Sequence, residues 1–230
     1  MIRTINATYR LIFAIGVIPA FTGAAEPWRP ITKGEVFAHT EVGLRMALPE
    51  HFHMASAEAM QASQQKLVDL LPLNSEPELA FAQRAMRLLE IRLLPASIWR
   101  EGNCGLEIKV IEMGRPIADS PTADADVILA AHRDFFDGDG IDLAEPLVVE
   151  ISGQSFAAID ASEKNESGTL LARTFFGYHG RFGMTIKLVG TSAAQIEMLD
   201  AWLYEHLALE VAVQPQADSS DYFALEPSAG

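Results

Sequence analysis

The sequence predicts an α+β protein, an α-β-α sandwich with a central antiparallel sheet flanked by helices. Several runs alternate between apolar and polar residues, which is the period of strands that bury one face. Other runs have the 3.6-residue period of amphipathic helices. Strand-like runs also follow one another closely between residues 146 and 190, through short turn-rich joints that are typical of antiparallel hairpins.

Residues 1–25 have the layout of a secretory signal peptide. Arg3 and Arg10 precede an apolar run, and small residues end the segment at Ala25. The apolar run is shorter than the roughly 20 residues of a membrane-spanning helix. We therefore expect cleavage after Ala25 and a mature protein that is periplasmic or secreted, with no stable membrane insertion. The alternative is an uncleaved membrane anchor.

The protein is strongly acidic. Its formal charge is −14, and it becomes −16 once the two arginines of residues 1–25 are removed. Such a charge repels phosphate backbones and anionic membrane surfaces and favours basic partners, so we expect no nucleic acid ligand. Cys104 is the only cysteine, so no internal disulfide is expected and the core alone must stabilise the fold.

One domain is predicted, spanning residues 35–213. An extended leader with two prolines, residues 26–34, precedes it. A flexible acidic tail, residues 214–230, follows it.

The first half of the domain is predicted to mix strands with helices. Residues 42–48 and 106–110 alternate as strands, with Glu107 and Lys109 on the side opposite Leu106, Ile108 and Val110. Helical spacing occurs over residues 55–71, 77–93 and 120–136. The end of the second of these, LLEIRLLP, is equally compatible with a strand.

The second half is predicted to be a meander of strands followed by a helix. The strands come from PLVVEISGQSFAAIDAS, TLLARTFFGYHG and RFGMTIKLVG, and the last of these places Lys187 on a solvent-exposed face. The helix is predicted over residues 191–210, with Thr191 or Ser192 as its cap.

The segment DFFDGDGID, residues 134–142, resembles part of a calcium-binding loop. With Gly140 at loop position 6, Asp137 and Asp139 take positions 3 and 5, but Phe135 and Pro146 take the ligand positions 1 and 12. The favoured interpretation is a glycine-rich turn after a helix. The alternative is a weak calcium site with Asp137, Asp139 and Asp142 as ligands, and no other cofactor is predicted.

No catalytic group is predicted. His51 and His53 lie on one side of an extended chain, but no third metal ligand is identifiable near them. Ser155 lacks the second glycine of a nucleophile elbow. Cys104 has no basic neighbour that would lower its pKa.

An aromatic cluster is predicted near the C-terminal helix. Its favoured interpretation is core between the sheet and the helix, and the alternative is a ligand groove. Its members are Phe175, Phe176, Tyr178, Phe182 and Trp202.

Two segments resemble the Mog1/PsbP-like superfamily. VGLRMALPEHF, residues 42–52, is similar to its opening strand and turn, and residues 151–203 are similar to its closing unit of antiparallel strands and a final helix. The resemblance covers about residues 35–210 and implies an α-β-α sandwich. Members of the superfamily are mostly non-catalytic accessory or binding proteins. None of their binding residues is carried over, because no functional motif matches.

These observations predict an exported, non-catalytic accessory or protein-binding module of the bacterial envelope, with a basic protein partner. The first alternative is an envelope hydrolase or metal-dependent enzyme that uses His51, His53 and the segment Asp137–Asp142. The second alternative is a calcium-modulated binding protein.

Overall fold

The computed structural model describes residues 28–50, 52–55, 89–95, 104–112, 141–165, 168–180 and 182–210. In these ranges the chain forms twelve strands and one α-helix. The strands are β1 (Trp28–Pro30), β2 (Val36–His39), β3 (Leu44–Ala47), β4 (Phe52–Ala55), β5 (Leu89–Pro95), β6 (Gly105–Glu112), β7 (Ile141–Leu143), β8 (Leu147–Ile151), β9 (Gln154–Asn165), β10 (Gly168–His179), β11 (Phe182–Gly190) and β12 (Leu207–Leu209). The helix is α1 (Ala193–His206).

The strands form two antiparallel sheets. The larger sheet has the strand order β1-β4-β5-β6-β11-β10-β9-β7, and β8 also pairs with β9. The smaller sheet has the order β12-β3-β2. Strands β9, β10 and β11 are successive antiparallel neighbours, as the alternation in this part of the sequence predicts.

The predicted α-β-α sandwich is wrong for the part of the chain that the structure describes. Strands predominate there, and α1 is the only helix. Residues 89–95 show one physical reason, because they end a predicted helix but form β5 between β4 and β6. A short apolar run fits either period, and pairing with neighbouring strands decides between them. The helices predicted at 55–71 and 120–136 lie outside the described residues, apart from Ala55, which ends β4.

Helix α1 is shorter than the predicted helix 191–210. Ser192 is its N-cap and accepts a hydrogen bond from the Gln195 backbone N–H at 3.4 Å, while the Gln195 side chain accepts one from the Thr191 N–H at 2.7 Å. At the other end, Leu207–Leu209 leaves the helix and pairs with β3 instead. The helix therefore ends where pairing in the smaller sheet begins.

The hydrophobic core lies on the α1 side of the larger sheet. Ile196, Leu199 and Leu203 of α1 are buried, and the helix packs on β10 and β11. Leu44 and Met46 of β3 join the same cluster, so the core connects the two sheets. The sheet contributes alternate residues, including Leu106, Ile108, Phe156, Phe175, Phe182, Met184, Ile186 and Leu188.

The opposite face of the central strands carries charged residues. Lys187 was expected to be exposed, but it is buried, and so are Glu107 and Lys109, each at most 7% exposed. The Lys109 ammonium lies 3.1 Å from the Glu107 carboxylate, and the register places Lys187 directly opposite Glu107. Because burying a charge is costly unless it is paired, these contacts are what makes a charged row tolerable inside the protein.

The last described residues tie the smaller sheet to the β8–β9 turn. The Leu209 N–H donates to Ser152 Oγ at 2.9 Å, and the Glu210 N–H donates to the Gly43 carbonyl at 2.7 Å. The buried His179 donates from Nε2 to the Glu210 carbonyl. These hydrogen bonds fix the chain as it leaves α1 and β12.

Glu35 gives the fold a component of stability that depends on pH. It accepts hydrogen bonds from Arg29 and from the Thr32 N–H, and these lower its pKa from 4.5 to about 2. Because the folded-state pKa is depressed, this stabilisation is present above the unfolded pKa and is lost as pH falls through the folded pKa.

We therefore expect Glu35→Gln to destabilise the protein above about pH 5 and to have little effect near pH 2. The measurement is urea unfolding of both proteins across this range, with Lys33→Gln as a control that leaves the Arg29 contact intact. A difference between the two proteins that does not change with pH would contradict the assignment to Glu35.

Candidate protein-binding surface

Strand β8 lies at the edge of the larger sheet. Its inner edge pairs with β9, and no strand in the described ranges pairs with its outer edge. Leu147 is 66% exposed and Val148 is 54% exposed. Two apolar side chains on an open strand edge mark either an aggregation risk or a binding site.

The turn before β9 determines which groups of β8 face outward. Ser152 and Gly153 both have positive φ (52° and 74°), as a two-residue type I′ hairpin requires. Ile151 and Gln154 then form the hydrogen-bonded closing pair. Because the hydrogen-bonded pairs alternate, the backbone N–H and C=O of Val148 and Glu150 point away from β9, toward the open edge.

Tyr204 of α1 lies on the same side of the sheet as Leu147. Its ring packs edge-on against Phe175 of β10 at a centroid distance of 6.5 Å, yet the residue remains 44% exposed. The register continues from Phe175 to Ala158 of β9 and from Ala158 to Leu147 of β8. At about 4.8 Å per strand, Leu147 lies roughly 10 Å from the strand beneath Tyr204.

We call Tyr204, Ala158 and Leu147 the Tyr204–Leu147 surface. Ala158 is 8% exposed and lies in register between Leu147 and Phe175, the residue against which Tyr204 packs. The exposed side chains of Tyr204 and Leu147 are suited to contact an apolar side chain of another protein.

Ionic contacts position the helix side of this surface. Arg173 of β10 donates two hydrogen bonds to the Asp160 carboxylate at 2.7 and 2.9 Å and a third to Asp200 of α1 at 2.7 Å. These two carboxylates raise the pKa of Arg173. Burial, with a further contribution from the charge of Asp200, raises the pKa of Tyr204, so its hydroxyl stays neutral.

The surroundings of the surface are acidic. Residues 141–163 contain five acidic and no basic residues. Asp142 and Glu150 are exposed on the edge strands, and Glu197 and Glu205 are exposed on α1. The arrangement therefore favours a partner with positive charges around an apolar contact.

The predicted aromatic cluster is divided between the two faces of the sheet. Phe175 and Phe182 are buried in the core on the α1 side. Phe176 and Tyr178 alternate with Phe175 and therefore lie on the opposite face. Trp202 is half-buried and packs near His206 at a ring distance of 5.6 Å. The five residues thus do not line one groove.

Only some of the residues of the calcium and metal hypotheses lie in the described ranges. Asp137, Asp139 and His51 lie outside the described residues, so calcium binding stays a prediction. Asp142 is exposed on β7, and His53 lies on β4. Six strand spacings separate β4 from β7 in the larger sheet, which is roughly 29 Å along the sheet at about 4.8 Å each. The structure therefore does not bring His53 and Asp142 together.

The two potential nucleophiles have unsuitable environments. Burial raises the pKa of the Cys104 thiol to about 11, which keeps it protonated at neutral pH. Ser155 lies in β9 immediately after the hairpin turn and not at a strand-to-helix turn.

Sequence reasoning missed Leu147, Val148 and Tyr204. Leu147, Val148 and Val149 form a continuous apolar run, which is typical of a strand buried on both faces. A signal for the edge was present, because Pro146 precedes the run and proline is confined to edge strands, strand starts and bulges. Tyr204 was overlooked because the helical pattern shows which residues of the helix face the core, but not which residues beside them remain exposed to solvent.

No helix in the described part of the chain is long and apolar enough to cross a membrane. A scan against models of known protein families gives no match. A search of curated proteins gives no match either.

Solved structures do show similarity to the chain. The PsbP protein of Synechocystis sp. PCC 6803 is 11% identical, with 76% of this chain and 91% of that chain covered and a TM-score of 0.46. LpqN of Mycobacterium tuberculosis, described as involved in cell envelope biogenesis, is 11% identical over 81% of this chain and 92% of that chain, with a TM-score of 0.39. A protein of Bacteroides thetaiotaomicron VPI-5482 is 10% identical over 78% of this chain and 49% of that chain, with a TM-score of 0.41.

All three TM-scores are below 0.5. A PsbP protein is one of the structures to which this chain is similar.

Proposed function

We propose that this chain is an exported, non-catalytic protein-binding module of the bacterial envelope, and that the Tyr204–Leu147 surface contacts its partner. The observation that carries the proposal is the placement of exposed Leu147 and Tyr204 on one side of the sheet. The signal peptide predicted at residues 1–25 supports export.

The composition of the surface favours a protein over a small molecule. A tyrosine and a leucine offer a large apolar contact area, and an aromatic residue of this kind is a common energetic centre of protein interfaces. The acidic residues around it would repel anionic substrates and attract a basic protein.

We expect the double variant Leu147→Ser, Tyr204→Ser to lose a protein partner that the wild type retains. The measurement is quantitative mass spectrometry of proteins cross-linked to the tagged chain in the envelope of its own cells. Each of the two contacts is expected to contribute about 1–2 kcal/mol, so recovery of the partner should fall by at least about ten-fold.

Val36→Ser is the matched control, because Val36 is 45% exposed but lies on β2 of the smaller sheet. It should retain the partner at the wild-type level. Thermal unfolding of all three proteins checks that the variants remain folded. A set of cross-linked proteins that is unchanged in the double variant would refute the assignment of binding to this surface.

A further inference from the structure

We infer that the outer edge of β8 binds an extended, basic segment of a partner protein, which adds as a further strand to the larger sheet. The inference rests on the proposed function and specifies the chemistry of the partner. It depends on the main chain of Val148 and Glu150, whereas the proposed function depends on the side chains of the Tyr204–Leu147 surface.

The first argument is the hydrogen-bonding capacity of the edge. The N–H and C=O groups of Val148 and Glu150 point outward, in a strand whose inner edge is fixed by five register pairs with β9. An added strand can form up to four backbone hydrogen bonds with these two residues. Strand addition of this kind gains its affinity from the main chain and its specificity from alternate side chains.

The second argument is the pair of side chains that such a strand would meet. Leu147 faces the α1 side of the sheet and Val148 faces the other side, and both are more than half exposed. A strand beside them would cover both, through residues that alternate in the same way. Leu147 also joins the edge to the Tyr204–Leu147 surface, so one partner segment can contact both.

The third argument is charge, which distinguishes among the possible occupants of the outer edge of β8. A second copy of this chain would bring Glu150 and Asp142 against the same acidic strand, and like charges across paired strands are destabilising. The C-terminal residues 214–230 carry three acidic and no basic residues, so they are equally unsuited. A segment that alternates lysine or arginine with apolar residues satisfies both the charge and the apolar contacts.

The test uses a fluorescent nine-residue peptide that alternates lysine and valine, with binding to the purified protein followed by anisotropy. The variant Val148→Pro removes the outward N–H without disturbing the bonds to β9, and proline is tolerated at such an edge position. Val148→Ala is the matched control, because it loses the side chain but keeps the N–H. We expect binding to Val148→Pro to be at least ten-fold weaker than binding to Val148→Ala.

Two further peptides keep the test decisive if Val148→Pro fails to fold. A peptide N-methylated at every residue loses the donors of both edges, and a peptide with glutamate in place of lysine reverses the charge. Each should bind the wild-type protein at least ten-fold more weakly. General attraction between a basic peptide and an acidic protein would be unaffected by N-methylation, so equal binding of the methylated peptide would overturn the inference.

Three other outcomes have a defined meaning. Equal affinity of Val148→Pro and Val148→Ala would refute strand addition. A dimer in sedimentation experiments that Val148→Pro abolishes would assign the edge to a second copy and also refute it. Loss of the cellular partner in the Leu147→Ser, Tyr204→Ser variant, together with full retention in Val148→Pro, would leave the proposed function standing and remove only this inference.

Discussion

Replacing Glu107 by leucine is expected to lower the free energy of unfolding by about 3–5 kcal/mol, the effect of breaking a buried ion pair. The Lys109 ammonium lies 3.1 Å from this carboxylate, and both side chains are almost completely buried. Lys187 is directly opposite Glu107 on β11. The variant would therefore leave two buried lysines without this carboxylate between them, in a sheet face from which water is largely excluded.

The matched control is Glu50→Leu. Glu50 and Lys33 also form an ion pair, at 3.9 Å, but both side chains are exposed. Exposed pairs of this kind contribute about 0–1 kcal/mol, so this variant should remain close to the wild type. Urea unfolding of both variants measures the difference, and equal stability of the two would show that the Glu107 pair is accessible to water.

The double variant Glu107→Leu, Lys109→Met separates the cost of an unpaired charge from the cost of a changed shape. An apolar pair of similar volume often replaces a buried ion pair at little cost. We therefore expect the double variant to recover a large part of the stability that Glu107→Leu loses. If the double variant is no more stable than the single variant, the carboxylate of Glu107 interacts mainly with Lys187 or another partner and not with Lys109.

Much of the sheet was predictable from the sequence. Residues 106–110 and 182–188 alternate between apolar and other residues, and this period of two is that of a strand and not of a helix. The cap at Ser192 was predictable for a different reason, since a serine before a helical run can accept a hydrogen bond from the first turn. These features depend on local interactions that are visible in a short window of sequence.

The rest depends on interactions between distant residues. Leu89 and Leu207 lie in segments with helical spacing, but pairing with β6 and β3 makes both segments strands. Lys109 and Lys187 alternate as exposed residues would, yet both are buried. Alternation shows which residues share a face of a strand, but whether that face contacts water is determined by the packing of the whole chain.

The candidate surface was unpredictable for the same reason. The apolar residues of PLVVEI indicate a strand, but the position of β8 at the edge of the sheet follows from the pairing of β9 with both β8 and β10. Tyr204 and Leu147 are 57 residues apart in the sequence, and only the register through Ala158 and Phe175 places them on one surface. Binding sites formed between elements in this way leave no local motif.

Replacing Phe156 by alanine is the second change with a large expected effect, a loss of about 3–5 kcal/mol in the free energy of unfolding. Phe156 is fully buried on β9, opposite Gly177 of β10. A Cβ atom at Gly177 would lie only 2.5 Å from the Phe156 ring, so the ring occupies space that the glycine leaves open. Removing the ring creates a cavity on the core side of β9, the strand that also pairs with β8.

Gly177→Ala tests this arrangement from the other strand. In the wild-type protein this substitution should lower the free energy of unfolding by about 1–3 kcal/mol, because the added methyl group forces a buried ring to move. In the Phe156→Ala background the same methyl group enters the cavity, so its cost should disappear or become a gain. If Phe156→Ala does not fold, Phe156→Leu replaces it in the same comparison, measured by urea unfolding. Additive effects of the two substitutions would mean that the ring and the glycine do not share one space, and the contact at 177 would then have no part in holding β9 against β10.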